Sequence, residues 1–393
     1  MKIILCNKFY YYRGGDCIYS INLEKLLKEK GHEVAFFAMD YSLNLENEFS
    51  SYFPREISFS KGSISDKLEA IKRIFSSDEV KIKFQKLIDD FSPDIVHINN
   101  VHSYLSPILA EIAKKNNVKV IWTLHDYKLI CPSYSCIHNL KPCEKCFDAK
   151  INVLKCKCMK NSYVASTLAY FESKFWNKNR IEKSVDHFIC PSEFLKTKMQ
   201  LNNYNVEKLT ALHNFSDFNI KEINLERDKL TYLYIGRLSA EKGVHTLLKV
   251  ASEMKYTLYI AGTGPLDEEL RNLYKNNKNI IFLGHLDKSQ LLFYLNKTRF
   301  IVIPSEWYEN NPLTVIESLL IGTPVLGAEI GGIPELLNKE NGKLFKSGDR
   351  SDLAQKIELM FNTSFNYEDI ASKAYNLYNK ERYYRDLLNV YEK

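Results

Sequence analysis

Arg299-Phe300-Ile301-Val302-Ile303-Pro304-Ser305, followed by Glu306-Trp307-Tyr308-Glu309-Asn310-Asn311-Pro312-Leu313-Thr314-Val315-Ile316-Glu317, decides the fold. Phe300–Ile303 form a continuous apolar run with Pro304 at its end. An unbroken run, rather than an alternating one, belongs to a parallel strand covered on both faces. Asn311 suits an N-cap and Pro312 the first helical position, while Gly322 suits the position just past the end. A helix is therefore predicted over 312–321. Strand, polar loop and helix in that order form one unit of a doubly wound α/β sheet.

The same unit repeats outward in both directions. LTYLYIG (230–236), YTLYIAG (256–262), NIIFLG (279–284) and PVLGAE (324–329) complete a second-half sheet. KIILCN (2–7), EVAFFAM (33–39), IVHIN (95–99), VKVIWTLH (118–125), HFICPS (187–192) and LTALHN (209–214) supply a first-half sheet. The expected fold class is α/β, with two Rossmann-like doubly wound domains and a cleft between them. The expected boundaries are 1–216 for the first domain, with a cysteine-rich insertion at about 131–160. A polar linker at 217–229 follows, then a second domain at 230–375. A terminal helix at 376–393 is expected to pack back on the first domain.

The chain has 393 residues, too many for one core and enough for two domains of ordinary size. With 25 Tyr and 22 Phe it has ample apolar surface to bury, which excludes disorder as the main state. No apolar run approaches the ~18 residues needed to span a bilayer. The apolar stretch Ile3–Cys6 is shorter than the roughly 7–15 residues of a secretory signal, so export is not expected. The formal charge is +6. It is uneven: residues 1–200 carry 30 basic and 23 acidic groups, and 141–180 carry nine and three. A localised basic region suggests an anionic surface or acceptor met by the first domain. No nucleic-acid-binding signature accompanies it, so nucleic acid is not expected as a partner.

Chemistry gathers where ligands of such sheets bind, just after the strands. Gly236-Arg237-Leu238-Ser239-Ala240-Glu241-Lys242-Gly243 follows the first strand of the second half and places two cations there. Arg offers a planar fork and Lys a point charge, a pair suited to a diphosphate. Gly262-Thr263-Gly264-Pro265 allows close backbone approach after the next strand. The helix opening at Pro312 offers N–H groups and a positive dipole end to phosphate. Glu309 stands before that terminus, and Glu317 lies five residues into the helix. Carboxylates are poor neighbours for phosphate but good acceptors for sugar hydroxyls, so a sugar and a ribose flanking a diphosphate would use both.

Glu309-x7-Glu317, with Gly236-Arg237…Lys242-Gly243, Gly262-Thr263-Gly264-Pro265 and Gly331-Gly332-Ile333-Pro334-Glu335, resembles retaining glycosyltransferases of family 4, which have the GT-B fold. The resemblance covers nearly the whole chain. It implies transfer of a sugar from a nucleotide-diphosphate donor, a UDP-sugar being favoured, to a hydroxyl of a lipid-linked or polysaccharide acceptor. It also implies that Arg237 and Lys242 hold the diphosphate, Glu309 meets the donor sugar, and Glu317 binds the ribose. Backbone around Asn311, Pro312, Leu313 and Thr314 would touch sugar and phosphates, with the base near His285. Gly14 and Gly15 resemble the family's first-domain glycine loop, and His125 its donor-contacting histidine. Glu309, His125, Arg237 and Lys242 are the expected catalytic set; Asp16, Asn99 and His102 are placed on the acceptor side. No Asp-x-Asp pair is present, so no catalytic metal is expected. Front-face attack by the acceptor hydroxyl follows by analogy with the family.

Six of the nine cysteines cluster at 131–158. Cys143-Glu144-Lys145-Cys146, with Cys131 and Cys156 or Cys158, outlines a structural tetrahedral zinc site. The expected ligands are Cys131, Cys143, Cys146 and Cys158; free thiols in an ordered loop are the alternative. The same insertion resembles one in a family 4 subgroup that reads TLHDYKLICP (123–132) ahead of its cysteines. Tyr170–Arg180 is aromatic and basic, as in a helix that docks at an anionic membrane, or in a core helix with a lysine-rich outer face. The expected location is cytoplasmic, at the inner face of the plasma membrane. Two other functions share the architecture: a nucleotide-sugar 2-epimerase and a non-catalytic nucleotide-sugar-binding subunit.

Overall fold

The computed structural model describes residues 1–59, 64–216, 218 and 226–393. These divide into two units, each described by itself. Unit 1 comprises Met1–His138, Cys143–His213 and Tyr383–Lys393; unit 2 comprises Asn139–Pro142 and Asn214–Arg382.

Unit 1 is built on a six-stranded sheet: β1 (Lys2–Cys6), β2 (Glu33–Phe37), β3 (Ile95–Ile98), β4 (Lys119–Thr123), β5 (His187–Cys190) and β6 (Leu209–Ala211). Their spatial order is β2-β1-β3-β4-β5-β6, parallel throughout. Unit 2 has β7 (Thr231–Ile235), β8 (Thr257–Ala261), β9 (Ile280–Gly284), β10 (Ile301–Ile303), β11 (Val325–Ala328) and β12 (Gly342–Phe345), in the order β9-β8-β7-β10-β11-β12, again parallel. Ile3, Ile4 and Leu5 of β1 and Ile301 and Val302 of β10 are fully buried, as the continuous apolar runs require. Strand order reverses beside β1 in unit 1 and beside β7 in unit 2. Such switch points open a crevice at the carboxyl ends of the two diverging strands. The loops after β1 and β3, and those after β7 and β10, are thereby selected as site loops.

β12 was not foreseen: Gly342-Lys343-Leu344-Phe345 is too short and polar to read as a strand and is recruited by pairing with β11. The helix over 312–321 is observed as Leu313–Leu320 with Pro312 in the capping position, so Asn311 is not the cap. Its side-chain carbonyl instead accepts from the Asn214 backbone N–H at 2.8 Å. Most of the expected linker, positions 217 and 219–225, lies outside the described residues. Arg227, also in that stretch, is buried and donates to the carbonyls of Leu295 and Ile321 and to Thr323 Oγ1. It satisfies helix-end carbonyls that would otherwise be orphaned.

Tyr170–Arg180 is not one helix. A helix ends at Phe175, Trp176 is buried with its Nε1–H on Ile74 O, and a second helix runs from Lys178 to Ser184. The terminal segment is likewise two helices, Tyr367–Tyr378 and Lys380–Glu392. Within unit 1 the second of these is joined by hydrogen bonds to the helix Gly15–Glu29, Tyr383 OH with Tyr19 OH, and to β3, Tyr391 OH with His97 Nδ1 at 2.7 Å. No helix among the described residues is long and apolar enough to cross a membrane.

Candidate active site

The switch-point loops of unit 2 interlock through their backbones. Leu238 N–H donates to Thr263 O at 3.0 Å, joining the loop after β7 to Gly262–Pro265. Glu306 N–H donates to Glu241 O at 2.9 Å, joining it to the loop after β10. Gly243 has φ 68°, and a Cβ there would lie 1.8 Å from Pro304 O, so only glycine permits this approach. The result places Lys242 against Glu309.

Glu309 is buried, 7% exposed, and three donors converge on its Oε1: Lys242 Nζ at 2.6 Å, Ser305 Oγ at 2.6 Å and Trp307 Nε1 at 2.9 Å. Burial alone would raise its pKa; the Lys242 charge and the three hydrogen bonds override this and hold the carboxyl below its ordinary value. Lys242 Nζ also lies 5.1 Å from the Trp307 ring centre. Glu309 O is further gripped by the next loop, where Gly332 N–H donates to it at 2.7 Å. Ser305, Trp307 and Asn214 were not singled out from sequence. Their distance from Glu309 in the chain, or their ordinary residue type, gives no signal until the loop closes.

Arg237 is exposed at the same sheet edge, with its carbonyl accepting from Tyr234 OH at 2.8 Å. The helix Leu313–Leu320 presents its first-turn N–H groups there, at Leu313 and Thr314. His285 is exposed just past Gly284 at the end of β9. So β7, β8, β9 and β10 bring Arg237, Lys242, Gly262, Gly264, His285, Glu309 and the helix terminus to one sheet edge.

Glu317 sits one turn into the helix. Burial pushes its carboxyl up to about 7, against the opposing pull of Lys288 and a hydrogen bond with Ser216. A carboxyl with a raised folded pKa binds a proton on folding, so stability falls as pH rises from the ordinary glutamate value towards 7. Above that the cost is constant. Glu317→Gln is therefore expected to raise the melting temperature at pH 8 and to change it little at pH 4. An equal shift at both pH values in a thermal melt would refute this.

In unit 1, Gly14 caps the helix Gly15–Glu29 in an extended conformation, and Asp16 lies in its first turn. Asp16 Oδ2 is 3.7 Å from Lys8 Nζ and accepts from Asn100 Nδ2 at 3.1 Å. Burial would raise the Asp16 pKa, but the Lys8 charge, the Cys17 N–H and Asn100 lower it on balance. His125 Nε2 is 3.0 Å from Asn99 Oδ1, and its ring meets Tyr19 edge-on at 4.8 Å. Burial lowers the His125 pKa to about 4, so the imidazole is neutral at physiological pH. The structure thus brings Asp16, Asn99 and His125 to one switch point and adds Lys8, Asn100 and Tyr19. His102 stacks on Trp122 with ring centres 5.1 Å apart. His97 is buried between Tyr391 OH and Thr123 Oγ1, a core role.

The cysteines form two groups. Cys131 is hydrogen-bonded with Cys136 and Cys146, all three buried. His138, Cys156 and Cys158 place their ligating atoms within 4.8 Å of one another. Of the four expected zinc ligands, Cys158 falls in the second group, Cys131 and Cys146 in the first, and Cys143 is half-buried nearby. His138, Cys136 and Cys156 were not in the expected set; His138 is set apart in sequence by a tight turn.

Two parallel six-stranded sheets with helices, each with a ligand-type switch point, define a glycosyltransferase fold of the GT-B type. Residues 215–377 match the family model Glycosyl transferases group 1, and residues 14–219 match Glycosyltransferase Family 4. The chain belongs to glycosyltransferase family 4. It is 28% identical over 354 residues, 86% of this chain and 87% of the other, to an uncharacterized 42.6 kDa protein in the cps region of Klebsiella pneumoniae. Anabaena HepE in complex with UDP superposes with a TM-score of 0.66 at 16% identity, covering 99% of both chains. Sucrose-phosphate synthase from Thermosynechococcus elongatus superposes with a TM-score of 0.70 at 16% identity, covering 100% of this chain and 98% of the other.

Proposed function

We propose that the enzyme transfers a sugar, with retention, from a UDP-sugar to a hydroxyl of a lipid-linked or polysaccharide acceptor in cell-surface polysaccharide or glycolipid synthesis. The cps-region origin of the Klebsiella relative and the UDP bound by HepE support acceptor class and donor base. The single observation that carries the reading is the Lys242–Glu309 contact at the unit 2 switch point, beside Arg237 and the helix terminus. In the reaction, the bond from the anomeric carbon to the diphosphate breaks and a bond to the acceptor oxygen forms. The acceptor proton leaves with the diphosphate. Negative charge then grows on the diphosphate, and Arg237, Lys242 and the N–H groups of Leu313 and Thr314 stabilise it. Glu309 Oε1 orients Lys242, leaving Oε2 for a donor-sugar hydroxyl. Glu317 takes the ribose hydroxyls and His285 adjoins the base. His125, Asp16, Asn99 and His102 belong to the sugar and acceptor side. No catalytic metal is needed. Peripheral contact with an anionic membrane is part of the same reading, supported by exposed Tyr163, Val164 and Phe171 within the basic 141–180 segment.

The test combines purified enzyme, UDP-sugars and saccharide or lipid-linked acceptors without added divalent ions. The expected result is a glycosylated acceptor with the donor's anomeric configuration by NMR. UDP is also expected to raise the melting temperature by mass action, about 2.7 kcal/mol at 100 times Kd. Epimerised sugar from donor alone would favour the 2-epimerase, and nucleotide binding without turnover the non-catalytic subunit.

A further inference from the structure

We propose that unit 1 holds one structural zinc ion, ligated by His138, Cys156 and Cys158, with Cys143 as the fourth ligand. Three ligand atoms of the right kinds already converge within 4.8 Å. Zn–S of about 2.3 Å and Zn–N of about 2.0–2.1 Å give ligand atoms roughly 3.5–3.8 Å apart in a tetrahedron, so only a small inward shift is needed. Thiolates with one imidazole in tetrahedral geometry select zinc over the oxygen-seeking cations.

The fourth position follows from local geometry. Cys143 N–H donates to Cys136 O at 2.7 Å, closing the turn that carries His138. Cys143 is half-buried, as are His138, Cys156 and Cys158. Cys131, Cys136 and Cys146, by contrast, are buried.

A second observation points the same way. Of the twelve described non-glycine residues with positive φ, seven lie between Tyr134 and Asn161. Its regular structure is short: two one-turn helices, Lys145–Asp148 and Asn152–Lys155, and a two-stranded sheet of Ile137–His138 and Lys141–Pro142. Such backbone persists where something over-determines it, and a metal clip closing the loop does so. On binding, three thiols release three protons. Three thiolates on one Zn²⁺ leave the site with a net charge of −1.

Elemental analysis of protein purified without added metal is expected to find one zinc per chain. His138→Ala and Cys158→Ser are expected to lose it, while Cys146→Ser and Cys190→Ser keep it. Zinc-free wild-type protein would overturn the proposal, as would zinc retained in His138→Ala. Zinc lost from Cys146→Ser but kept in Cys143→Ser would overturn the fourth ligand. If the loss variants do not fold, cobalt exchange into the wild type decides. Intense visible bands of tetrahedral cobalt with thiolate charge transfer support the site; a weak octahedral spectrum or no uptake sinks it. Neither readout depends on sugar transfer.

Discussion

Lys242→Met is expected to slow sugar transfer by about 10²–10³-fold, mainly in kcat, because it removes a charge aimed at the departing diphosphate. Glu309→Gln should fall by a comparable factor, since Lys242 loses the partner that holds it at 2.6 Å. The two act as a unit, so the double variant should be no slower than the worse single one. Steady-state kinetics of the three variants provide the check. Multiplicative losses would mean that the residues work independently, and unchanged transfer would remove both from the machinery. Stability has its own sign. The folded Glu309 carboxyl has a lowered pKa. Its stabilisation is present above the unfolded value and is lost as pH falls through the folded one. Wild type should therefore lose stability in acid by more than Glu309→Gln does.

Gly331→Ala is the second large effect, and it touches no polar side chain. Gly331 has φ 61°, and a Cβ would lie 2.3 Å from Glu309 O and 2.7 Å from Glu309 N. The left-handed backbone and the clash together should cost about 2–5 kcal/mol. For a unit of this size that lowers the melting temperature on the order of 10 °C. Transfer should fall as well, because relief of the clash moves Glu309 away from Lys242. Gly15→Ala is the contrast: its Cβ would meet nothing within 4 Å, so the melting temperature should hardly change. A Gly331→Ala protein with wild-type melting and activity would show that the loop at 331 does not position Glu309.

Both effects depend on a site that was only partly legible beforehand. Arg237, Lys242, Glu309 and Glu317 stood out as candidates because strand-end loops carry chemistry in doubly wound sheets, and the strands themselves stood out as continuous apolar runs. Ser305 and Trp307 could not, since nothing in a Ser or Trp after a strand says that it will donate to a carboxylate. Asn311 was misread for a related reason. Asn followed by Pro fits a cap locally, but the Asn214 N–H competes for the same oxygen and wins. β12 was invisible because edge pairing with β11, not composition, makes it a strand. The aromatic stretch 170–180 looked like one amphipathic helix, but burial of Trp176 breaks it.

Period, apolar continuity and turn residues are local properties, and local properties suffice to set strands, helices and their order. The sequence by itself therefore determined the two α/β halves, the loops that bear chemistry and the family resemblance. Only the tertiary structure decided which atoms meet: three donors on one oxygen of Glu309, Arg227 on helix-end carbonyls, His97 in the core, and His138 rather than Cys131 beside Cys158. Apart from Ser305 and Trp307, which lie four and two residues from Glu309, these contacts join residues far apart in the chain, and their geometry is set by how the sheets twist and the loops pack, which no local pattern encodes.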